Sequence, residues 1–210
     1  MPDFKFEDGY RGVVVGLDEA GRGPWVGPVV AGAAVFINRD VNPYLLQHLN
    51  DSKKLSKKRR EELFERIKQE AEKGCMCYGI GQASAEEIDE MNILQASFLA
   101  MSRALEKLDI KPDMALIDGN RLPKKFSCPC QCVVKGDSLS YSIAAASIVA
   151  KVYRDHLMED MALKYPGYGF EKNAGYGTKD HIEGLQKYGI TPEHRKSYQP
   201  IKEICDAKKV

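Results

Sequence analysis

The chain has 210 residues, a formal net charge of +1 and 43% apolar residues. These values fit one soluble globular domain and exclude a uniformly basic coat, so a nucleic-acid partner would have to be held by local charged patches. Residues 1–10 are polar, without the apolar core of a secretion signal, and no apolar run approaches membrane-spanning length. A cytoplasmic location away from membranes is expected.

An apolar run over 12–17 predicts the first strand, which delivers the stretch Asp18-Glu19-Ala20-Gly21-Arg22-Gly23-Pro24. A Gly27-Pro28 turn leads to a second strand over 29–37. Within residues 51–60 six of ten residues are basic, which reads either as a solvated helix start or as a local patch for phosphates. Leu63, Phe64 and Ile67 give 57–73 a helical period, and 75–82 reads as a third short strand. Ser84 and Glu87 form a capping-box signature that opens a helix. A longer helix is expected over 92–108, with Phe98, Met101 and Leu105 on its inner stripe. Strands over 114–117 and 131–134 end in Asp118-Gly119 and Lys135-Gly136-Asp137-Ser138, and a long helix is expected over 139–164. Early strands joined by short links, followed by strands alternating with helices, predict an α/β fold with a mixed sheet flanked by helices. Residues 1–166 are expected to form the core, and 167–210 a short helical C-terminal extension packed on it.

The six cysteines do not read as a metal site. Cys75 and Cys77, and then Cys128, Cys130 and Cys132, alternate along strands, whereas structural zinc sites place two to four residues between ligands. Reduced thiols are the expected state.

The acidic residues carry more chemistry. Asp18-Glu19, Asp118 and Asp137 each follow an apolar strand and precede glycine or small polar residues. Singly, Asp118 and Asp137 read equally well as a turn residue and a helix cap. If the strands are neighbours, four carboxylates meet at one sheet edge, where their repulsion calls for cations. Oxygen-only ligands select hard ions such as Mg²⁺ or Mn²⁺, and a two-metal site of this kind suits in-line phosphoryl chemistry.

Taken together, GLDEAGRGP, GPVVAGAAV, DSKKLS, LIDGN, VVKGDS, AAASIVAKVYRD, YPGYGF, GYGTKDH and PEHRKSY, in that order over nearly the whole chain, resemble the bacterial type 2 ribonucleases H, ribonuclease HII. The resemblance implies a ribonuclease H-like mixed sheet and a metal-dependent endonuclease. Such an enzyme cuts the RNA strand of RNA–DNA hybrids and single ribonucleotides embedded in duplex DNA, leaving 5′-phosphate and 3′-hydroxyl ends. It implies Asp18, Glu19, Asp118 and Asp137 as the catalytic, metal-binding set. Gly21, Arg22 and Gly23 would form the loop that approaches the ribonucleotide, where the 2′-hydroxyl alone separates RNA from DNA. Tyr176 would pack on the deoxyribose that follows. Lys53, Lys54, Ser147, Lys151, Thr178 and Arg195 would contact phosphates, which positions without reading sequence.

Beside these roles stand plainer ones: a loop anchor for Tyr176, and ion pairing along the helix with Asp155 for Lys151 and Arg154. His48, His156, His181 and His194 are expected at the surface or behind the site. Ala174 departs from the family, many bacterial members of which carry a basic residue there. A monomer is expected, and the additional N-terminal domain of the related type 3 enzymes is not. Two readings from other classes are a non-catalytic nucleic-acid-binding module and a junction resolvase. The first is disfavoured because carboxylates facing phosphates oppose binding; the second has no need of a loop that senses a 2′-hydroxyl.

Overall fold

The computed structural model describes residues 1–207; the last three residues of the expected C-terminal extension lie outside the described residues. Five strands form one mixed sheet in the order β3-β2-β1-β4-β5: β1 Val14–Ala20, β2 Val29–Phe36, β3 Met76–Ala83, β4 Met114–Asp118 and β5 Cys130–Val133. The pairs β1–β2 and β2–β3 are antiparallel, whereas β1–β4 and β4–β5 are parallel. The parallel strands therefore end at one edge, where ligands of such sheets are commonly held. Leu17 lies opposite Ile117, which brings Asp18 and Asp118 to the same level.

Nine helices are described: α1 Lys5–Asp8, α2 Pro43–His48, α3 Lys57–Glu72, α4 Ala85–Met91, α5 Ile93–Leu105, α6 Tyr141–Lys164, α7 Phe170–Asn173, α8 Lys179–Tyr188 and α9 Ile201–Ala207. Single 3₁₀ turns occupy Ser52–Lys54 and Gly136–Ser138. The Ser84–Glu87 capping box forms as expected. Among the described residues no helix is long and apolar enough to cross a membrane.

The two sheet faces follow the strand period of two. Val15 and Leu17 of β1, with Val29, Ala31 and Ala33 of β2, pack on Phe98 and Met101 of α5. On the opposite face α6 lies so close that a Cβ at Gly16 would stand 2.1 Å from the Ser142 carbonyl carbon, and one at Gly32 would stand 2.2 Å from the Ala146 oxygen. The alanines 144–146 make this approach possible and join Leu63, Phe64 and Ile67 of α3 in the second core.

Three short elements escape the sequence reading: α1, α2 and the turn Ser52–Lys54. In α1 the buried Glu7 carboxylate accepts hydrogen bonds at one oxygen from Ser140 Oγ, Ser142 N and Ser142 Oγ, at 2.6, 2.9 and 2.7 Å. The amino-terminal segment thereby pins the start of α6, where a carboxylate is favoured by the helix dipole. Beyond α6 the chain closes a smaller apolar cluster of Val26, Met158, Tyr168, Phe170, Leu185 and Ile201.

Gly32→Ala tests the close approach of α6. The added methyl group meets backbone that cannot swing aside, so a loss of about 1–3 kcal/mol is expected in urea unfolding. An unchanged midpoint would show that α6 slides freely on the sheet.

Candidate active site and metal centre

Strand β1 runs further than the apolar run suggested, through Asp18, Glu19 and Ala20. The two carboxylates are therefore strand residues rather than members of a turn, and successive strand side chains take opposite faces. Asp18 shares the α6 face with Gly16 and meets Ser147, whose hydroxyl lies between Asp18 and Ser52. Glu19 takes the other face and pairs with Arg22 at 3.2 Å. Asp118 ends β4 and accepts the Gly136 N–H at 2.7 Å. Lys135, left-handed at φ 58°, turns the chain from β5 into the 3₁₀ turn that carries Asp137. Ligand oxygens of Asp18, Asp118 and Asp137 all lie within 4.8 Å of one another. Glu19 stands beside this triad rather than in it.

The electrostatics follow from burial and crowding. Asp18 is 6% exposed, and burial, then Glu19 and Asp118, push its carboxyl well above the ordinary range. Burial also raises Glu19, against the pull of Arg22. Asp137 is pushed up to about 6 by burial and by Asp118 and Asp51, with Lys53 opposing. Partial burial would lower the Lys53 ammonium, but Asp18, Asp51, Asp137 and Asp118 together raise it. One exposed lysine does not neutralise such a cluster, whereas hard divalent cations would. The residues present fit that group.

Beside the triad a cleft of 660 Å³ is lined by Gly21, Arg22, Gly23, Lys53, Lys151, Arg154 and Tyr176 as well as by Asp18, Glu19 and Asp118. Gly21 is left-handed at φ 94°, and a Cβ there would collide with Arg154 Nε at 1.9 Å. The half-exposed Tyr176 ring reaches over Gly23, its Cε1 only 3.2 Å from where a Cβ would stand.

Several expectations need correction. Arg195 is fully buried and does not line the cleft: its guanidinium donates to the carbonyls of Gly21, Arg22 and Gly27 at 2.6, 3.0 and 2.9 Å. It shapes the glycine loop from behind instead of touching phosphate, because a five-donor fork suits several carbonyls at once. Arg154 is not an ion-pair partner of Asp155 but is buried on the carbonyls of Val26, Pro28 and Ala174. Burial and the nearby Arg195 lower its guanidinium to about 10. Of the two places expected for His181 and His194, the structure takes the one behind the site: they are 0% and 1% exposed, and His181 bonds the Tyr176 carbonyl.

Lys151 makes the helical pair with Asp155, at 2.5 Å, and still lines the cleft. Lys54 lies 3.0 Å from Ser138 Oγ, next to Asp137. Thr178 is exposed at the start of α8, where its hydroxyl accepts from Asn173 at 3.2 Å. Asp51 was not anticipated; it caps the Ser52–Lys54 turn and adds to the negative charge around Asp137. An Asp two residues ahead of Lys53 was a readable capping signal, hidden within a run read only for its positive charge. Arg60 also lines the cleft, donating to the carbonyls of Ser52 and Leu55.

The ribonuclease HII family model matches residues 15–201. The chain belongs to that family. The Ribonuclease HII of Paramagnetospirillum magneticum is 51% identical over 201 residues, covering 96% of this chain and 97% of that one. The Rhodospirillum rubrum Ribonuclease HII is 54% identical over 97% of this chain and 91% of its own. Among solved structures, the ribonuclease H2 of Pyrococcus horikoshii superposes with a TM-score of 0.74 at 30% identity, over 94% of this chain and 99% of that one. The chain is thus a nuclease of the class acting on RNA–DNA hybrids, on the mixed sheet the sequence suggested.

The raised carboxylates make stability depend on pH. Asp137 ionises at about 6 in the folded chain against an ordinary 3.8. The native state holds this proton more tightly, so the metal-free protein loses stability as pH rises through that interval. Asp118→Asn and Asp137→Asn remove a like charge while keeping an acceptor oxygen. For both, a metal-free thermal midpoint at neutral pH that is unchanged or raised is expected, and Asp137→Asn should flatten the pH dependence. A fall of many degrees would return these residues to plain turn and cap roles.

Proposed function

We propose that this protein incises duplex DNA at single embedded ribonucleotides as well as cutting the RNA strand of hybrids, leaving 5′-phosphate and 3′-hydroxyl ends. The observation that carries the reading is the juxtaposition of the Asp18–Asp118–Asp137 triad with the Gly21-Arg22-Gly23 loop and the Tyr176 ring around one cleft. Asp18, Glu19, Asp118 and Asp137 would hold two Mg²⁺ or Mn²⁺ ions, which when bound activate a water and stabilise the leaving oxygen.

The chain's own residues do the rest. Gly21 and Gly23 let backbone approach a ribose closely, and the loop is held in shape by Arg195 and by the Tyr198 hydroxyl, which donates to Arg22 O at 2.7 Å. Tyr176 offers an apolar face to the next sugar, where an added hydroxyl fits poorly. Lys53 and Lys151, both in the cleft lining, supply cationic contacts for the nucleic-acid backbone.

Incubation with a DNA duplex containing one ribonucleotide tests the reading directly. Cleavage at the ribonucleotide with Mg²⁺ or Mn²⁺, none with chelator or with Ca²⁺, and none of an all-DNA duplex are expected, since Ca²⁺ takes longer and looser coordination. Full activity in chelator would overturn the metal mechanism, and cutting of hybrid alone would overturn the single-ribonucleotide reading.

Tyr176→Ala separates steric from hydrogen-bond selection. Steric or apolar sorting contributes about 10–200-fold, whereas a site built to bond a hydroxyl rejects its absence by up to ~10⁴–10⁵-fold. The variant should therefore lose rate mainly on the single-ribonucleotide duplex, by about 10–200-fold at most, and still ignore all-DNA duplex. Equal losses on hybrid and duplex, in a variant shown to be folded, would make Tyr176 a loop anchor.

A further inference from the structure

The loop that carries Tyr176 is tied to the interior through two buried imidazoles. The Nε2 atoms of His181 and His194 lie 3.2 Å apart. His194 Nδ1 accepts the Thr191 backbone N–H at 2.9 Å. That nitrogen carries no proton, so His194 is protonated at Nε2 and donates to His181 Nε2. His181 in turn keeps its proton on Nδ1, which donates to the Tyr176 carbonyl at 3.0 Å. One pair of neutral tautomers satisfies all four ring nitrogens. Burial lowers both imidazoles, and His194, also beside His181, falls to about 4.

The surroundings give this chain a rigid frame. The His181 ring packs on Trp25 and Phe170, with centroids 5.3 and 5.2 Å away. Trp25 directly follows the glycine loop and Pro24, and its N–H donates to Gly175 O at 2.9 Å. A Cβ at Gly177 would lie 2.0 Å from the Trp25 ring, so Trp25 holds the backbone on both sides of Tyr176, Gly177 through its indole and Gly175 through its backbone N–H. Neither histidine lines the cleft.

We propose that His181 and His194 are positioning residues for Tyr176: their hydrogen-bond chain holds the Tyr176 carbonyl, and with it the ring over Gly23, so that the sugar after the ribonucleotide is sorted. This rests on the junction-sensing reading above. A histidine pair that only filled the core would affect all substrates alike; a positioning pair alters the choice between them.

The readout is the ratio of cleavage rates on a single-ribonucleotide duplex and on a continuous RNA–DNA hybrid, with Mg²⁺. His181→Phe keeps ring volume but lacks the donor. His181→Gln places its amide near Nε2 and leaves Tyr176 O without this partner, whereas His181→Asn places an amide donor near Nδ1. The ratio is expected to fall roughly 2- to 30-fold in His181→Phe and His181→Gln, the range of coupling through packed contacts. His181→Asn should restore most of it, and in a Tyr176→Ala background His181→Phe or His181→Gln should change it no further. Equal losses on both substrates, or an undiminished effect without the Tyr176 ring, would overturn the positioning role. If His181→Phe melts below the assay temperature, the Gln and Asn variants decide. A wild-type enzyme that does not cut the single-ribonucleotide duplex would instead overturn the junction-sensing reading itself, and is scored before any variant.

Discussion

The mutual repulsion of carboxylates gathered at the end of three parallel strands is the constraint on which the rest of this structure depends. Asp18, Asp118 and Asp137 have ligand oxygens within 4.8 Å of one another, and burial makes each charge harder to carry. Only stiff surroundings keep such groups together. Asp118 is aligned with Asp18 by parallel pairing and is tied to the next segment through the Gly136 N–H. The helix that backs Asp18 lies against bare glycines of β1 and β2, and its first turn is pinned by Glu7. The amino-terminal segment, far in sequence from the carboxylates of β4 and the 3₁₀ turn, thus helps set the geometry of the acidic edge.

Opposite the triad the fold buries charge of the other sign. Arg154 and Arg195 sit beneath the glycine loop, each donating to three backbone carbonyls, and they repel one another. A buried charge is tolerable only when its hydrogen bonds are made. Carbonyls supply those bonds without cancelling the charge. The cleft itself combines an acidic edge that suits cations with the positive charge of Lys53, Arg60, Lys151 and Arg154 in its lining. A nucleic-acid backbone with bound divalent ions matches both sides, which is how a chain of nearly zero net charge can engage a polyanion.

What could be read from the sequence was what local pattern determines. Apolar runs bounded by turn signals located the strands, the capping box opened α4, and the four acidic positions stood out because each follows such a run. Readings failed where long-range packing overrules the local signal. Asp18 and Glu19 looked like turn residues, yet β1 continues through them because β2 pairs alongside, with Asp18 opposite Gly32 and Glu19 opposite Ala31. Arg154 and Arg195 looked like exposed residues, one in a helical ion pair and one on phosphate, because charge usually means exposure. Their burial depends on backbone carbonyls contributed by segments 20 or more residues distant, and no window of the sequence displays those partners. Asp51 was overlooked because a basic run drew attention away from its capping role.

The distribution of backbone strain ties these observations to function. Three residues other than glycine adopt left-handed φ among the described residues: Asn92, Lys135 and Ala174. Lys135 stands two residues before Asp137, and Ala174 two residues before Tyr176. Left-handed conformations cost a side-chain-bearing residue roughly 1–2 kcal/mol, so they persist only where neighbours over-determine them. Both turns are indeed held from outside: Gly136 N–H by Asp118, and the Ala174 carbonyl by Arg154 Nη1. Position 174 is thus held by an alanine whose backbone, rather than its side chain, is engaged. Selection by hydrogen bonding to a ribose hydroxyl requires donors and acceptors set in advance, because a loop that must first organise gives back part of the binding difference. Strain held by a buried arginine beside Tyr176, and by a carboxylate beside Asp137, gives this fold two loops whose shape is set in advance.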